Sequence, residues 1–415
     1  MITSVLKRNS TVVEFNENKI LQAIMKAMKN VDGEDEAAAK RVKNRVVKKL
    51  KSWNIEVPHV DQIHVLVENS LMDAKLYDVA RAYITYRDAN KPDIFRKRIN
   101  IRPYEYPQLV EFIDAIRHSY WIHTEFKYDS DIQDIKVFMS EKESEAAIRS
   151  MLAISQIESA VKEFWGKIGD RLPKPEIKKV GATFAESEVR HEDAYSELLS
   201  KLGINERFET LKDEYCINKR IQYLEKVNRN IRSQDNKDFF ETVILFSMFV
   251  ENVSLFSQFL ILMSFQKHAN MLKGISNAIE ATSKEENIHA EFGFDLVNII
   301  KYENPDWFDE DLIEYIKEIS YEAFEAEKEI VDWIYEKGDL KIIPKAVTIE
   351  YIKHRLNLSL NAIGIDSIFG IDEDLLLQTE WFDLEIKTTK SIDFFNKRSI
   401  GYDKRSKSIT EDDLF

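Results

Sequence analysis

Two glutamate–histidine pairs, each spaced by three residues, set the frame for this chain: Glu188 with His191 in ESEVRHEDAYSELL, and Glu286 with His289 in SKEENIHAEFGFDL. Both segments are patterned as helices. On a helix, positions i and i+3 lie on one side, where a carboxylate oxygen and an imidazole nitrogen can reach a single ion. A third pair, Glu56 with His59, is interrupted by Pro58 at a helix start and need not share a face. Two such helices whose pairs lie 98 residues apart match the dinuclear sites of four-helix bundles, which need one more inward carboxylate from each of the two remaining helices.

Those carboxylates are sought as acidic residues stranded among apolar neighbours. Glu158, in MLAISQIESAVKEFW, lies 30 residues before Glu188, and Glu251, in VILFSMFVENVSLFSQFL, lies 35 before Glu286. Glu251 is the only acidic residue between Glu241 and Asn277. An unpaired carboxylate in so apolar a segment carries a large desolvation cost, which a metal ion removes. Four carboxylates and two imidazoles suit iron or manganese and leave positions open for dioxygen. The expected metal ligands are Glu158, Glu188, His191, Glu251, Glu286 and His289.

Composition agrees with helices long enough to carry such a site. Gly 11 and Pro 8 in 415 residues are well under half of ordinary usage. A hydrophobic share of 44 % can bury a sizeable core, and the length exceeds what one core usually supports, so two domains are expected. The single cysteine, Cys216, leaves no disulfide framework and no thiolate cluster. No run approaches a membrane span, and the first residues lack the apolar stretch of a secretory signal, so a cytoplasmic protein without a membrane partner is expected. Neither GxGxxG nor GxxxxGK[ST] occurs, which leaves any nucleotide binding to another device.

The charge is unevenly divided. Residues 1–100 hold 19 basic against 13 acidic side chains, a balance of +6, while the rest hold 40 against 60, a balance of −20. A basic first part suits an anionic ligand such as a nucleotide, and the acidic remainder argues against nucleic acid as a partner. The first part opens with two β-rich runs, SVLKRN and TVVEF, read as a hairpin. Asn16 then caps a helix with Ile20, Leu21, Ile24 and Met25 on one face, followed by amphipathic stretches near 36–52, 59–73 and 77–89. Pro92, Pro103 and Pro107 mark a boundary. The expected organisation is a small α/β module over 1–95, a linker over 96–107, a mainly α ferritin-like bundle over 108–395 and a mobile tail over 396–415.

The bundle resembles the small, radical-generating subunit of class I ribonucleotide reductases over 108 to 415. Tyr195 follows His191 by four residues, where that family carries its radical tyrosine. Trp121, in SYWIHTEFKYDSD, matches the tryptophan linking the metal site to the subunit surface, and Tyr402, in FFNKRSIGYDK, matches the tail tyrosine that passes the radical on. The last residues, TEDDLF, look like the peptide that docks on the large catalytic subunit. Glu285 stands where the family has an aspartate tying the metal-bound histidine to the tryptophan, and Glu158 also replaces an aspartate, a departure that points toward manganese-containing subclasses.

Residues 1 to about 95 resemble the ATP-cone, an allosteric nucleotide-binding module, through Val5, Lys7 and Arg8, Glu14 and Phe15, Lys19, and the closing ARAYITYR with Tyr86 and Arg87; Ser10 replaces a usual glycine. The resemblance implies a small subunit of ribonucleoside-diphosphate reductase with two manganese or iron ions, the radical equivalent residing on Tyr195 or on the metals. It also implies a large-subunit partner, an activating flavoprotein as a further possible partner, and a homodimer driven by dATP on the cone into a larger assembly. Two alternatives stay open at this point: another ferritin-like carboxylate-bridged dimetal oxidase, which would not need Trp121, Tyr402 or the tail, and a non-enzymatic ATP-sensing adaptor.

Overall fold

The structure is a computed structural model that describes residues 2–6, 12–31, 33, 35–53, 55–89, 92–227, 230 and 233–387, with only the backbone at 89 and 159–163. Lys7, Arg8, Ser10 and Tyr402 lie outside the described residues. The chain divides into two compact units, Met1–Asp93 with Glu105–Gln108, and Ile94–Tyr104 with Leu109–Phe415.

In the first unit β1 (Ser4–Leu6) pairs antiparallel with β2 (Val12–Glu14), Val5 opposite Val13. Four helices follow, α1 (Glu17–Lys29), α2 (Glu36–Ser52), α3 (Val60–Asp73) and α4 (Tyr77–Ala89). Their starts are written in the sequence. The Asn16 and Asp35 side chains accept from the backbone of Asn18 and Ala38. His59 and Gln62 form a reciprocal capping box at α3. Ile24, Ala39, Val46, Leu71 and Ala80 are fully buried at the centre of the core these helices enclose.

The second unit is built from α5 (Glu111–His118), α6 (Asp129–Gln133), α7 (Glu141–Arg171), α8 (Pro175–Leu202), α9 (Asn205–Glu209), α10 (Tyr215–Val227) and α11 (Asn236–Leu245). It continues through α12 (Phe256–Ala269), α13 (Lys273–Glu303), α14 (Glu310–Ile334), α15 (Lys345–Ala362), α16 (Glu373–Leu376) and α17 (Glu380–Ile386). The prolines fall where helices begin: Pro175 opens α8 and Pro344 precedes α15. Helix α8 stops at Gly203, which is left-handed at φ 71°. At Gly181 a Cβ would stand 2.5 Å from the Trp165 carbonyl oxygen, so the absence of a side chain sets how closely α7 and α8 approach.

Two backbone devices position the functional helices. The N-terminus of α13 is capped by Asp131, whose carboxylate accepts from the amides of Gly274 (3.1 Å) and Ile275 (3.2 Å). Between α11 and α12 the helix widens into a π-turn over Phe246–Val250 and then unwinds. The carbonyls released by unwinding are taken by two buried arginines: Arg220 Nη2 donates to Ser254 O (3.0 Å), and Arg355 Nε to Asn252 O (2.8 Å). Arg220 is itself paired with buried Glu327 through Nε at 3.0 Å. No helix among the described residues is long and apolar enough to cross a membrane.

Candidate metal centre

Glu158 projects from α7, Glu188 and His191 from α8, Glu251 from the unwound segment after α11, and Glu286 and His289 from α13; all six are at most 2 % exposed. The structure brings together every residue that spacing had assigned as a ligand. They form two overlapping four-residue sets, Glu158, Glu188, His191 and Glu286, and Glu188, Glu251, Glu286 and His289, each offering ligand atoms within 4.8 Å of one another. Glu188 and Glu286 belong to both sets.

The inward donor atoms face one another, the nearest pairs being His191 Nδ1 with Glu286 Oε1 at 2.9 Å and His289 Nδ1 with Glu188 Oε1 at 3.0 Å. Both oxygens of Glu158 and of Glu188, Glu251 Oε2, Glu286 Oε1 and Nδ1 of both histidines are buried without a hydrogen-bond partner of good geometry. Buried polar atoms are ordinarily paired, so a cluster of this size without good hydrogen bonds fits a cation-binding site. The rings are held from behind: His191 Nε2 is 2.9 Å from Glu285 Oε2, and His289 Nε2 is 3.0 Å from Ser187 Oγ. That leaves Nδ1 of each ring for a metal.

Protons occupy the site when metal does not. Burial, reinforced by Glu286 and Glu188, pushes the Glu158 carboxyl up to about 8 despite its contact with His191. Burial and the Glu286 charge carry Glu251 well above the carboxylate range. Burial works against charging His191 and His289, but the glutamates around them outweigh it and hold both imidazoles protonated well above their usual range. For Glu286 burial again opposes the charge, yet the two imidazoles draw it below the usual carboxylate range. Two divalent ions carry the same charge as the protons on Glu158, Glu251, His191 and His289, so exchange leaves the buried charge unchanged.

Around the ligands lies an aromatic wall that spacing did not foresee. Trp165, two turns beyond Glu158 on α7, is fully buried and donates Nε1–H to Glu251 Oε1 at 2.8 Å. Phe184, Phe246 and Phe292 pack edgewise on its indole. The seven-residue interval from Glu158 was the available signal, but an indole in an apolar helix reads as core.

Tyr195 lies one turn beyond His191, 3 % exposed. Burial and the Glu158 carboxylate hold its hydroxyl proton far above the ordinary phenol range. Trp121 is stacked on His191, ring centroids 5.7 Å apart and planes 9° from parallel. Glu285 reaches His191 as the resemblance implied, but its other partners are Arg190 and Ser119, while the Trp121 indole N–H has no acceptor.

The expected nucleotide residues are less convergent. Val5 is buried in the core of the first unit, Phe15 packs against that core, and Glu14 and Lys19 are exposed. Tyr86 lines a cleft of about 670 Å³ with Asn30, Arg81 and Thr85. Arg87 is paired with Glu68 and with Asp88 (2.9 Å).

Fold and site together define a ferritin-like helical protein with a buried carboxylate–histidine cluster that offers two overlapping ligand sets. The model of the ribonucleotide reductase small chain matches residues 98–374, and that of the ATP cone domain matches residues 3–92. The chain therefore belongs to the ribonucleotide reductase small-chain family, with an ATP-cone ahead of the family's bundle.

Among relatives, the probable ribonucleoside-diphosphate reductase small subunit 048L of Invertebrate iridescent virus 3 is 22 % identical over 324 residues, covering 74 % of this chain and 85 % of that protein. The vitamin B12-dependent ribonucleoside-diphosphate reductase of Thermoplasma acidophilum is 41 % identical over 96 residues, 22 % of this chain and 12 % of that protein. Among solved structures, the ribonucleotide reductase R2 subunit from Clostridium botulinum aligns with a TM-score of 0.62 at 17 % identity, covering 68 % of this chain and 89 % of that one. The dimanganese(II)-NrdF of Streptococcus sanguinis aligns at 0.59 and 18 %, covering 68 % and 97 %.

Proposed function

We propose that this chain is the radical-supplying subunit of a ribonucleoside-diphosphate reductase, holding two manganese or iron ions through Glu158, Glu188, His191, Glu251, Glu286 and His289. The observation that carries the reading is the pair of overlapping ligand sets whose inward atoms lack hydrogen bonds of good geometry. When bound, the ions supply one-electron oxidising power in a site sealed from water. The protein's part is positional. Glu188 and Glu286 would serve both ligand sets, Glu285 and Ser187 fix the imidazoles, and the aromatic wall excludes solvent. Glu158, pushed up to about 8, is able to hold a proton beside the Tyr195 hydroxyl.

With ions bound, the centre would supply the oxidising equivalent; Tyr195 is the side chain that would hold it on the protein, and Trp121 and then Tyr402 those that would pass it to a large catalytic subunit, where ribonucleotides are reduced. The working organisation is a cone over 1–95, a linker over 96–107, the bundle over 108–395 and a docking tail over 396–415, in a cytoplasmic homodimer. ATP or dATP on the cone, with Lys7, Arg8, Lys19, Tyr86 and Arg87 in contact, shifts the association state, dATP giving a larger inactive assembly. An activating flavoprotein is a further partner of this scheme. The test is reduction of a ribonucleoside diphosphate by this chain with its large subunit. Tyr402→Phe keeps full metal content and loses turnover, whereas normal turnover by that variant overturns the relay.

A further inference from the structure

Glu251 sits where its helix has come apart, so helical geometry does not fix its place. Its own amide reaches back five residues to Phe246 O (3.3 Å), and that of Ser254 reaches back five to Phe249 O (2.9 Å). At the tip of the side chain Trp165 Nε1 donates to Oε1 (2.8 Å), and Oε2 lies 3.4 Å from His289 Nδ1. The root of the side chain is held through the next residue.

Asn252, 4 % exposed, is bound to α15 through both its side chain and its backbone. Its Nδ2 donates to Arg355 O (3.2 Å) and to Ser359 Oγ (2.7 Å), and its Oδ1 accepts from Arg355 Nη2. Its carbonyl oxygen accepts from Arg355 Nε (2.8 Å). Ser359 Oγ donates in turn to Met248 O (3.2 Å), inside the π-turn that precedes Glu251. The Arg355 guanidinium lies 3.6 Å over the ring of Phe256, the first residue of α12. The chain before Glu251 and the chain after it are thus fastened to two buried residues one turn apart on α15.

We infer that Asn252 is a positioning residue that, with Arg355 and Ser359, holds Glu251 at the ligand set of Glu188, Glu251, Glu286 and His289, and has no such role for the set containing Glu158 and His191. An amide suits this place because it donates twice and accepts from one group. Aspartate keeps the acceptor and loses both donors; alanine loses all three side-chain bonds. In an intact helix the i→i−4 ladder fixes each residue without outside help. Glu158, Glu188 and His191 stand on the intact helices α7 and α8, so slack at Asn252 reaches Glu251 and not them. The inference rests on the proposed metal binding, and its test separates the two.

The test is manganese binding by the full chain, with stepwise affinities read by competition against a chelator. In Asn252→Ala one ion is expected to bind as in the wild type and the other about 10–100-fold more weakly, the range typical of outer partners of metal ligands. Added to Glu251→Ala, which has already lost the positioned carboxylate, Asn252→Ala should weaken the remaining ion no further. Added to Glu158→Ala, it should weaken the remaining ion by the full amount. Ser359→Ala removes one acceptor of Asn252 and the bond to Met248 O; it gives a smaller loss at the same ion and carries the test if Asn252→Ala does not fold. Equal weakening of both ions, or no weakening by either variant, overturns the inference. A wild type that takes up no manganese overturns the proposed metal binding and the inference with it.

Discussion

His191 Nδ1 lies closer to Glu286 Oε1 on α13, at 2.9 Å, than to Glu188 Oε2 on its own helix, at 3.5 Å. His289 does the reverse, 3.0 Å from Glu188 Oε1 and 3.5 Å from Glu286 Oε2. Each helix's histidine therefore answers the other helix's glutamate. The centre belongs to neither helix alone, and that crossing is why the two glutamates can serve two ions.

Shared and unshared ligands should behave differently. Glu188→Ala removes a donor from both sets and is expected to lower bound metal from two ions per chain toward none. Glu158→Ala or Glu251→Ala touches one set each and should leave about one ion. Elemental analysis after manganese loading and desalting reads the difference.

Metal binding should release protons. Glu158, Glu251, His191 and His289 all have raised proton affinities in the metal-free fold, so protons compete with metal and apparent affinity rises with pH. Release should approach four protons per pair of ions at neutral pH and fall as pH passes about 8, where Glu158 loses its own. Calorimetry in buffers of different ionisation enthalpy measures this. Glu158, raised to about 8, stabilises the metal-free protein fully below the ordinary carboxylate range and loses that contribution as pH rises through about 8, so the melting temperature should fall across that window while the loaded protein's does not.

Trp165→Phe keeps the ring and deletes the donor to Glu251. Outer partners of metal ligands are typically worth 10–100-fold in affinity, and a loss of about that size is expected for the site Glu251 serves. Competition against a chelator checks it; unchanged affinity would make Trp165 mere packing.

Arg220 supports the unwound segment that carries Glu251, and its removal strands the Glu327 carboxylate in the core. Arg220→Met should cost ~3–5 kcal/mol, while Arg220→Met combined with Glu327→Leu should recover much of it. Denaturant unfolding of the metal-free chain provides both values.

The cone reading predicts a change of size with nucleotide. Light scattering with ATP and with dATP should show a larger species with dATP for the full chain and none after deletion of residues 1–100. Identical sizes throughout would remove the regulatory part of the scheme.

The convergence of Glu158, Glu188, His191, Glu251, Glu286 and His289 was legible because helical spacing and burial are both visible in sequence: two pairs at three-residue intervals, and two carboxylates in apolar runs. The hairpin and the four cone helices were legible from β-branched runs, the cap at Asn16 and the amphipathic stretches that follow, whereas the capping box at His59 was not. The unwinding at Glu251 was not, since it depends on Arg220 and Arg355 reaching in from distant helices to take freed carbonyls. Nor was the role of Glu285. A tie from His191 to Trp121 was expected, but Glu285 pairs with Arg190 as well as His191, a contact that no local pattern encodes. In the cone, Val5 faces the core and Arg87 pairs with Glu68, orientations that a motif match does not specify.

Whether the six buried side chains hold two redox-active ions is decided by metal analysis paired with electron paramagnetic resonance on the manganese- or iron-loaded, oxygen-exposed full chain. Two ions per chain and a paramagnetic signal, either an organic radical or coupled manganese, are expected, both lost in Glu188→Ala. Fewer than one ion per chain after loading, with no signal, would overturn the proposed function.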